Sequence, residues 1–185
     1  MMNFFTKKYG FYIPYREHEA AVMKMQMAIL FFLSLCAPSL SQADDVVLEG
    51  GFGFYKSSDS QAVFLRYQKE SSPLFGIDSY YDAALASWNG NDHNDALIIT
   101  KGIRIDLVKE TYFAFEAGGA YLERTTHNLG TRLQFAFRFA LGMKVGAFDL
   151  GIGYNHLSNG KGIFHWTNTT NYGENFITCQ LGYVF

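Results

Sequence analysis

From Asp44 onward, apolar and polar side chains alternate with a period of two, the mark of strands whose faces meet different surroundings. The pattern is cleanest where Leu133, Phe135, Phe137, Phe139, Leu141 and Met143 interleave with Arg132, Gln134, Ala136, Arg138, Ala140 and Lys144. The next run sets Phe148, Leu150, Ile152 and Tyr154 against Asp149, Gly151, Gly153 and Asn155. The last sets Ile177, Cys179, Leu181, Tyr183 and Phe185 against Thr178, Gln180, Gly182 and Val184. Less regular segments near 47–55, 61–68, 76–88, 96–107 and 111–122 bring the expected total to eight strands. Lys101 interrupts the apolar series Leu97, Ile99, Ile103 and Ile105, which predicts a bulge or a register shift at that point.

The polar faces carry both signs of charge: Glu49, Arg66, Asp78, Asp82, Arg104, Asp106, Glu116, Arg132, Arg138 and Asp149. In a soluble, lipocalin-like barrel or a sandwich these would meet water and the aromatic face would form the core. In an outer-membrane barrel the aromatic face meets lipid and the charges pair inside. Aromatic residues make up 17% of the chain, and an export signal precedes the strands, so the expected fold is an all-β, eight-stranded antiparallel transmembrane barrel over 44–185. The closing run to Phe185 resembles the C-terminal strand of bacterial outer-membrane proteins. Eight strands enclose an interior that side chains fill, which argues against a diffusion pore.

The export signal is Met23-Lys24-Met25, the apolar run Ala28 to Cys36, Pro38, and the small-residue stop Ser41-Gln42-Ala43. It reads as a signal peptide over 23–43 with cleavage before Asp44; the run falls well short of the roughly 20 apolar residues a spanning helix needs. Residues 1–22 read as an upstream extension or the product of a misassigned start. Without residues 1–43 the chain keeps 11 basic and 15 acidic side chains, a net charge of −4 that offers no footprint for nucleic acid. Cys179 alone remains there, which excludes an intramolecular disulfide and a cysteine metal cluster.

Connection lengths set the orientation. Short connections near 108–110 and 145–147 belong on the periplasmic side, and the longer ones near 88–95, 123–131 and 159–173 belong outside. Strand seven then rises to Ser158 and strand eight descends from about Glu174. His156 and Ser158 continue the lipid-facing series Phe148, Leu150, Ile152, Tyr154, so a base and a nucleophile share one face at the outer leaflet. A soluble enzyme has no use for that placement; an enzyme acting on a membrane lipid does.

Tyr154-x-His156-x-Ser158-Asn159-Gly160, then Asn171-x-Gly173-x-Asn175, then a strand ending Leu181-Gly-Tyr-Val-Phe185, resembles the PagL family of outer-membrane lipid A 3-O-deacylases. The resemblance implies an esterase that removes the acyl chain at the 3-position of lipid A in lipopolysaccharide, with its site on the outer wall of the barrel. It implies Ser158 as nucleophile and His156 as base, and Asn171, with Asn159 and backbone around Gly160, as the oxyanion and substrate-positioning set. Asn175 stands where the family's type member carries Glu, Gly160 replaces a usual Ala, and the loop is longer by Phe164-His-Trp166 in effect. Parity places Asn175 with His156 and Ser158 and turns Glu174 inward, so Asn175 is the expected third member and Glu174 the lesser candidate.

No cofactor and no metal is implied: His93, His127 and His165 are loop residues without ligand spacing to one another. The expected partners are the lipid A-bearing leaflet and the membrane itself, with a homodimer left open. Trp88 and Trp166 are expected in an interfacial aromatic belt. Gly50, Gly51 and Gly53, and the pair Gly118-Gly119, read as strand glycines where the wall bends or packs tightly, since no helix follows to make a phosphate loop. Two alternatives use the same barrel: a non-catalytic protein of adhesion or envelope stability, and an outer-membrane phospholipase or acyltransferase.

Overall fold

The computed structural model describes residues 44–57, 59–90, 93–161 and 170–185. The expected signal peptide over 23–43, the extension over 1–22, and Phe164, His165 and Trp166 lie outside the described residues.

Eight strands form one closed antiparallel barrel in which each pairs with its sequence neighbours and the first with the last. They are β1 (Asp44–Gly53), β2 (Gln61–Leu74), β3 (Ile77–Asn89), β4 (Asn94–Asp106), β5 (Thr111–Leu122), β6 (Leu133–Val145), β7 (Phe148–Ser158) and β8 (Glu174–Val184). A short 3-10 turn over Tyr55–Ser57 caps the outer end of β1. Because β1 pairs with β8 within one chain, closure requires no second copy. At one end the turns are brief, Phe75-Gly76 and Gly146-Ala147 among them, while at the other 123–132 and 159–173 are long, which fixes the periplasmic and outer ends.

Alternation produces the expected division of faces. Leu97, Ile99, Leu141, Leu150, Ile152 and Leu181 are exposed on the outer wall. Glu49, Arg66, Asp82, Glu116, Arg138 and Asp149 are buried within. All of these but Asp149 form ion pairs; Asp149 accepts from the Tyr112 hydroxyl at 2.7 Å and the Gln180 amide at 3.1 Å. Arg138 bonds Glu49 at 2.7 Å and Glu116 at 2.6 Å, and Arg66 bonds Asp82 at 2.8 Å and Glu49 at 3.1 Å. Each guanidinium also meets an amide oxygen, Arg66 that of Asn155 and Arg138 that of Gln180, both at 2.5 Å. Above this layer, toward the outer rim, Phe64, Trp88, Ile98, Leu122, Leu129, Leu157 and Phe176 form an apolar plug. Charge and plug together fill the lumen.

Two expectations are corrected. The β4 register runs unbroken through Lys101 on both sides, against Tyr81 and against Ala117, so there is no bulge. The one shift in that neighbourhood lies between Ser71 and Leu74 on β2. Lys101 is therefore a true outward residue. Trp88 is only 1% exposed and packs on Phe176 at 5.8 Å inside the barrel, so it does not join an interfacial belt. Its parity, shared with Asp82, Ala84 and Ala86, turns it inward. Among the strand glycines, Gly51 and Gly118 lie against neighbouring backbone that a Cβ would strike, as close packing of the wall requires.

Candidate active site

His156 and Ser158 sit on one face at the outer end of β7, both half-buried. In the sheet, His156 lies between Asn175 of β8 and Phe137 of β6, and Ser158 lies beside Phe135. The imidazole is nearly parallel to the rings of Phe137 and Tyr154, with centroids 6.4 Å from each. Its Nδ1 is 2.8 Å from Asn175 Oδ1. An amide oxygen only accepts, so Nδ1 carries the proton and Nε2 is left as the basic nitrogen. Among the described residues no hydrogen bond closes between Ser158 and His156.

Asn175 is held on every side. Its Oδ1 also accepts from the Tyr154 hydroxyl at 2.8 Å, and its backbone N–H donates to Ser57 Oγ at 3.1 Å. Its backbone carbonyl accepts from the Phe54 N–H at 3.0 Å. These bonds leave the side chain 7% exposed, although its parity is that of the outward residues Ile177 and Cys179. Glu174, one residue earlier, faces the other way and is 2% exposed. Its carboxylate accepts from the Ser57 hydroxyl and, at 3.0 Å, from the Asn128 amide, so it ties the β1–β2 and β5–β6 connections to the start of β8.

The β7–β8 connection brings Asn171 back over the end of β7. Asn171 Oδ1 accepts from the Asn159 backbone N–H at 3.0 Å, which leaves Nδ2 as the donor end of the amide. The Asn159 side chain is consumed locally: Nδ2 donates to the Thr170 carbonyl at 3.0 Å and Oδ1 accepts from the Lys161 N–H at 3.1 Å. Asn159 thus shapes the turn, and Gly160, at φ +70°, supplies its left-handed step. Gly173 has a sharper reason to be glycine. It adopts φ +76°, and a Cβ there would stand 2.9 Å from His156 Cε1.

Three members of this arrangement, Ser57, Asn128 and the Tyr154 hydroxyl, were given no role by the sequence pattern. Ser57 is 117 residues from Glu174, a separation across which local periodicity carries no signal. Tyr154 stands within the motif, yet its bond to Asn175 depends on the β7–β8 register. Elsewhere, His127 packs on Tyr172 at 5.8 Å. His93 lies with Asp95 and Glu123 so that one ligand atom from each falls within 4.8 Å of the others. All three are exposed, and Glu123 also pairs with Arg124 at 3.0 Å.

The chain is similar to the crystal structure of the outer membrane enzyme PagL, at 20% identity over 76% of this chain and 99% of that one, with a TM-score of 0.56; at that identity the likeness speaks for the fold. It is also similar to the solution NMR structure of the de novo designed TMB2.3, at 14% identity over 78% of this chain and 94% of that one, with a TM-score of 0.42. No curated protein sequence matches. The family model for lipid A 3-O-deacylase (PagL) matches residues 61–184, more than half of the chain and every strand from β2 to β8. The protein belongs to the PagL family of lipid A 3-O-deacylases, ester hydrolases of the bacterial outer membrane.

Proposed function

We propose that this enzyme cleaves the 3-position acyl ester of lipid A as a serine esterase, with Ser158 as nucleophile, His156 as general base and Asn175 as the group that orients the imidazole. The observation that carries the reading is the 2.8 Å contact from His156 Nδ1 to Asn175 Oδ1, two residues from Ser158 on a wall that faces lipid. It frees Nε2 for the serine proton.

In the first half-reaction Ser158 Oγ attacks the ester carbonyl carbon while His156 Nε2 takes the hydroxyl proton. The oxyanion that develops is met by Asn171 Nδ2 and by the Gly160 backbone N–H, the N–H groups of Asn159 and Lys161 on either side being already bonded; such donors act most strongly where water is excluded. Collapse breaks the bond to the 3-oxygen of lipid A, which leaves with the proton from His156. Water then attacks the acyl-serine, His156 takes its proton and returns it to Ser158 Oγ, and a free fatty acid departs. Phe135, Phe137 and Phe139 give the released chain an apolar floor along the outer wall.

A fluorophosphonate probe should label the wild-type protein at Ser158, and lipid A incubated with the enzyme should lose one acyl chain by mass spectrometry. An unlabelled, inert barrel would leave a structural role, and release of fatty acid from glycerophospholipids in place of lipid A would make the protein a phospholipase. Residues 23–43 are proposed to direct export and to be cleaved before Asp44, which N-terminal sequencing of the outer-membrane form checks.

A further inference from the structure

The one cation on the lipid-facing series of β4 is Lys101, and its surroundings are built. Its outward neighbours on the strand are Ile99 and Ile103, where a charged side chain is expensive unless it reaches the headgroup boundary or a partner. Its Nζ lies 2.6 Å from Ser71 Oγ and 4.1 Å from the centre of the Tyr81 ring. Ser71 Oγ in turn lies 2.8 Å from Ser79 Oγ, and the Ser79 hydroxyl donates to the Ser72 carbonyl at 2.7 Å. Among the described residues no carboxylate forms an ion pair with Lys101; the acids that pair do so with Arg66, Arg104, Arg124, Arg138, Lys144 or His93. An ammonium with one hydroxyl and one ring face as partners keeps protons to donate.

The depth of this cluster follows from the register. From His156 the paired residues run through Phe137, Ala117, Lys101, Tyr81 and Lys69 to Asp44, whereas in the other direction they pass Asn175 to Phe54, ten residues beyond Asp44 and just past the end of β1. The register line therefore descends toward the periplasm as it goes from β7 to β1. Strands about 4.8 Å apart and tilted by about 40° lose roughly 3 Å of height per step. Lys101 starts three steps down, and Ser71, on β2 and two residues beyond Lys69, lies roughly 20 Å below His156 against an apolar band about 25 Å tall. With His156 near the outer boundary, the Lys101 ammonium points toward the periplasmic one.

We infer that Lys101, Ser71 and Tyr81 form a binding site for the phosphate of an anionic glycerophospholipid of the periplasmic leaflet. The phosphate oxygens accept from Nζ and, by rotation of its hydroxyl, from Ser71. The acyl chains rise along Ala83 and Ile99, the next outward residues toward mid-membrane on β3 and β4. Lys69, exposed and paired in register with Tyr81, adds a second cation at the edge, with Asp44 opposite it already bonded to the Tyr67 hydroxyl at 2.6 Å. The site is separate from Ser158 and His156 and does not depend on their roles.

Native mass spectrometry tests this on the protein purified from outer membranes, in detergent micelles doped equally with phosphatidylglycerol and phosphatidylcholine. Wild type should retain phosphatidylglycerol about fivefold over phosphatidylcholine, Lys101→Arg should keep that preference, and Lys101→Met should lose it. Ser71→Ala, which keeps the charge, should reduce the preference about twofold and serves where Lys101→Met does not fold, as judged by heat-modifiable mobility. Equal retention of the two lipids by wild type, or an unchanged preference in Lys101→Met, overturns the inference. Displacement of the lipid by a hundredfold excess of inorganic phosphate would also overturn it, since the ligand would then be the free anion.

Discussion

The polar groups inside the barrel and those on its outer wall at β7–β8 are built on opposite plans. Inside, Glu49 meets Arg66, Arg138, Asn155 and Thr178, and Arg138 meets Glu49, Glu116 and Gln180, so that each group is surrounded by partners of its own chain. On the wall the contacts form a single line: Ser57, Phe54 and Tyr154 fix Asn175, Asn175 fixes one nitrogen of His156, and the line stops short of Ser158. Interlocked networks hold a shape, whereas on the proposed reading the outer network ends on His156 Nε2 and leaves it open to a substrate.

The largest effect should come from removing Ser158, just beyond the end of the outer line of contacts. Ser158→Ala should lower kcat by about 10⁴-fold, or about 5.5 kcal/mol of barrier, while the barrel still assembles. His156→Ala should match it, and the double variant should be scarcely worse if the two act as a unit of nucleophile and base, as proposed. Lipid A turnover by mass spectrometry reads all three; strictly additive losses would argue against a shared step.

Next comes the interior. Arg138→Met leaves Glu49 and Glu116 short of a buried partner, which should cost about 3–5 kcal/mol of stability in urea unfolding, with kcat of the folded fraction changed little. A variant of unchanged stability would show that the inner charges are not held as tightly as their contacts suggest.

Asn175 is the intermediate case, since it is packed and also bonds the imidazole of His156. Asn175→Ala should reduce kcat about 10- to 100-fold, the worth of a hydrogen bond to a group that becomes charged. Asn175→Glu should keep or raise the rate, because a carboxylate also stabilises the imidazolium. Glu174→Ala should affect stability by about 1–3 kcal/mol through the stranded Ser57 and Asn128 and matter much less to turnover. The reverse order of the two alanine variants would move the orienting role to Glu174. The smallest effect belongs to Tyr154→Phe, which removes one of two donors to Asn175 Oδ1 and should lower kcat about 2- to 10-fold with KM nearly constant.

The fold was legible because period two reports face directly, and a barrel has only two faces. The outward series of β6 and β7 and the inward Arg138 and Asp149 follow from counting alone. The same count turns Trp88 inward with Asp82 and Ala84; the belt expectation failed because it weighed residue type over parity. At Lys101 the opposite happened. Parity holds through the lysine, and a charge on the lipid face mimics a break in register because its partners, Ser71 and Tyr81, come from other strands. For the site, His156, Ser158 and Asn175 could be placed on one face from the sequence. The support beneath them could not, because Ser57 and Asn128 come from connections whose meeting depends on closure of the whole ring.

That dependence has a consequence for biogenesis. Asn175 lies on β8, the strand that zips to β1, and its backbone is gripped by Phe54 and Ser57 just beyond the end of β1. A chain on its way to the membrane, with that seam still open, lacks the grip on the residue that aims His156. Esterase activity should accordingly lag behind strand formation during refolding and arrive with heat-resistant mobility. The last seam to close would then act as a safety catch, keeping a lipid hydrolase idle until it stands in the membrane whose lipids it is meant to cut.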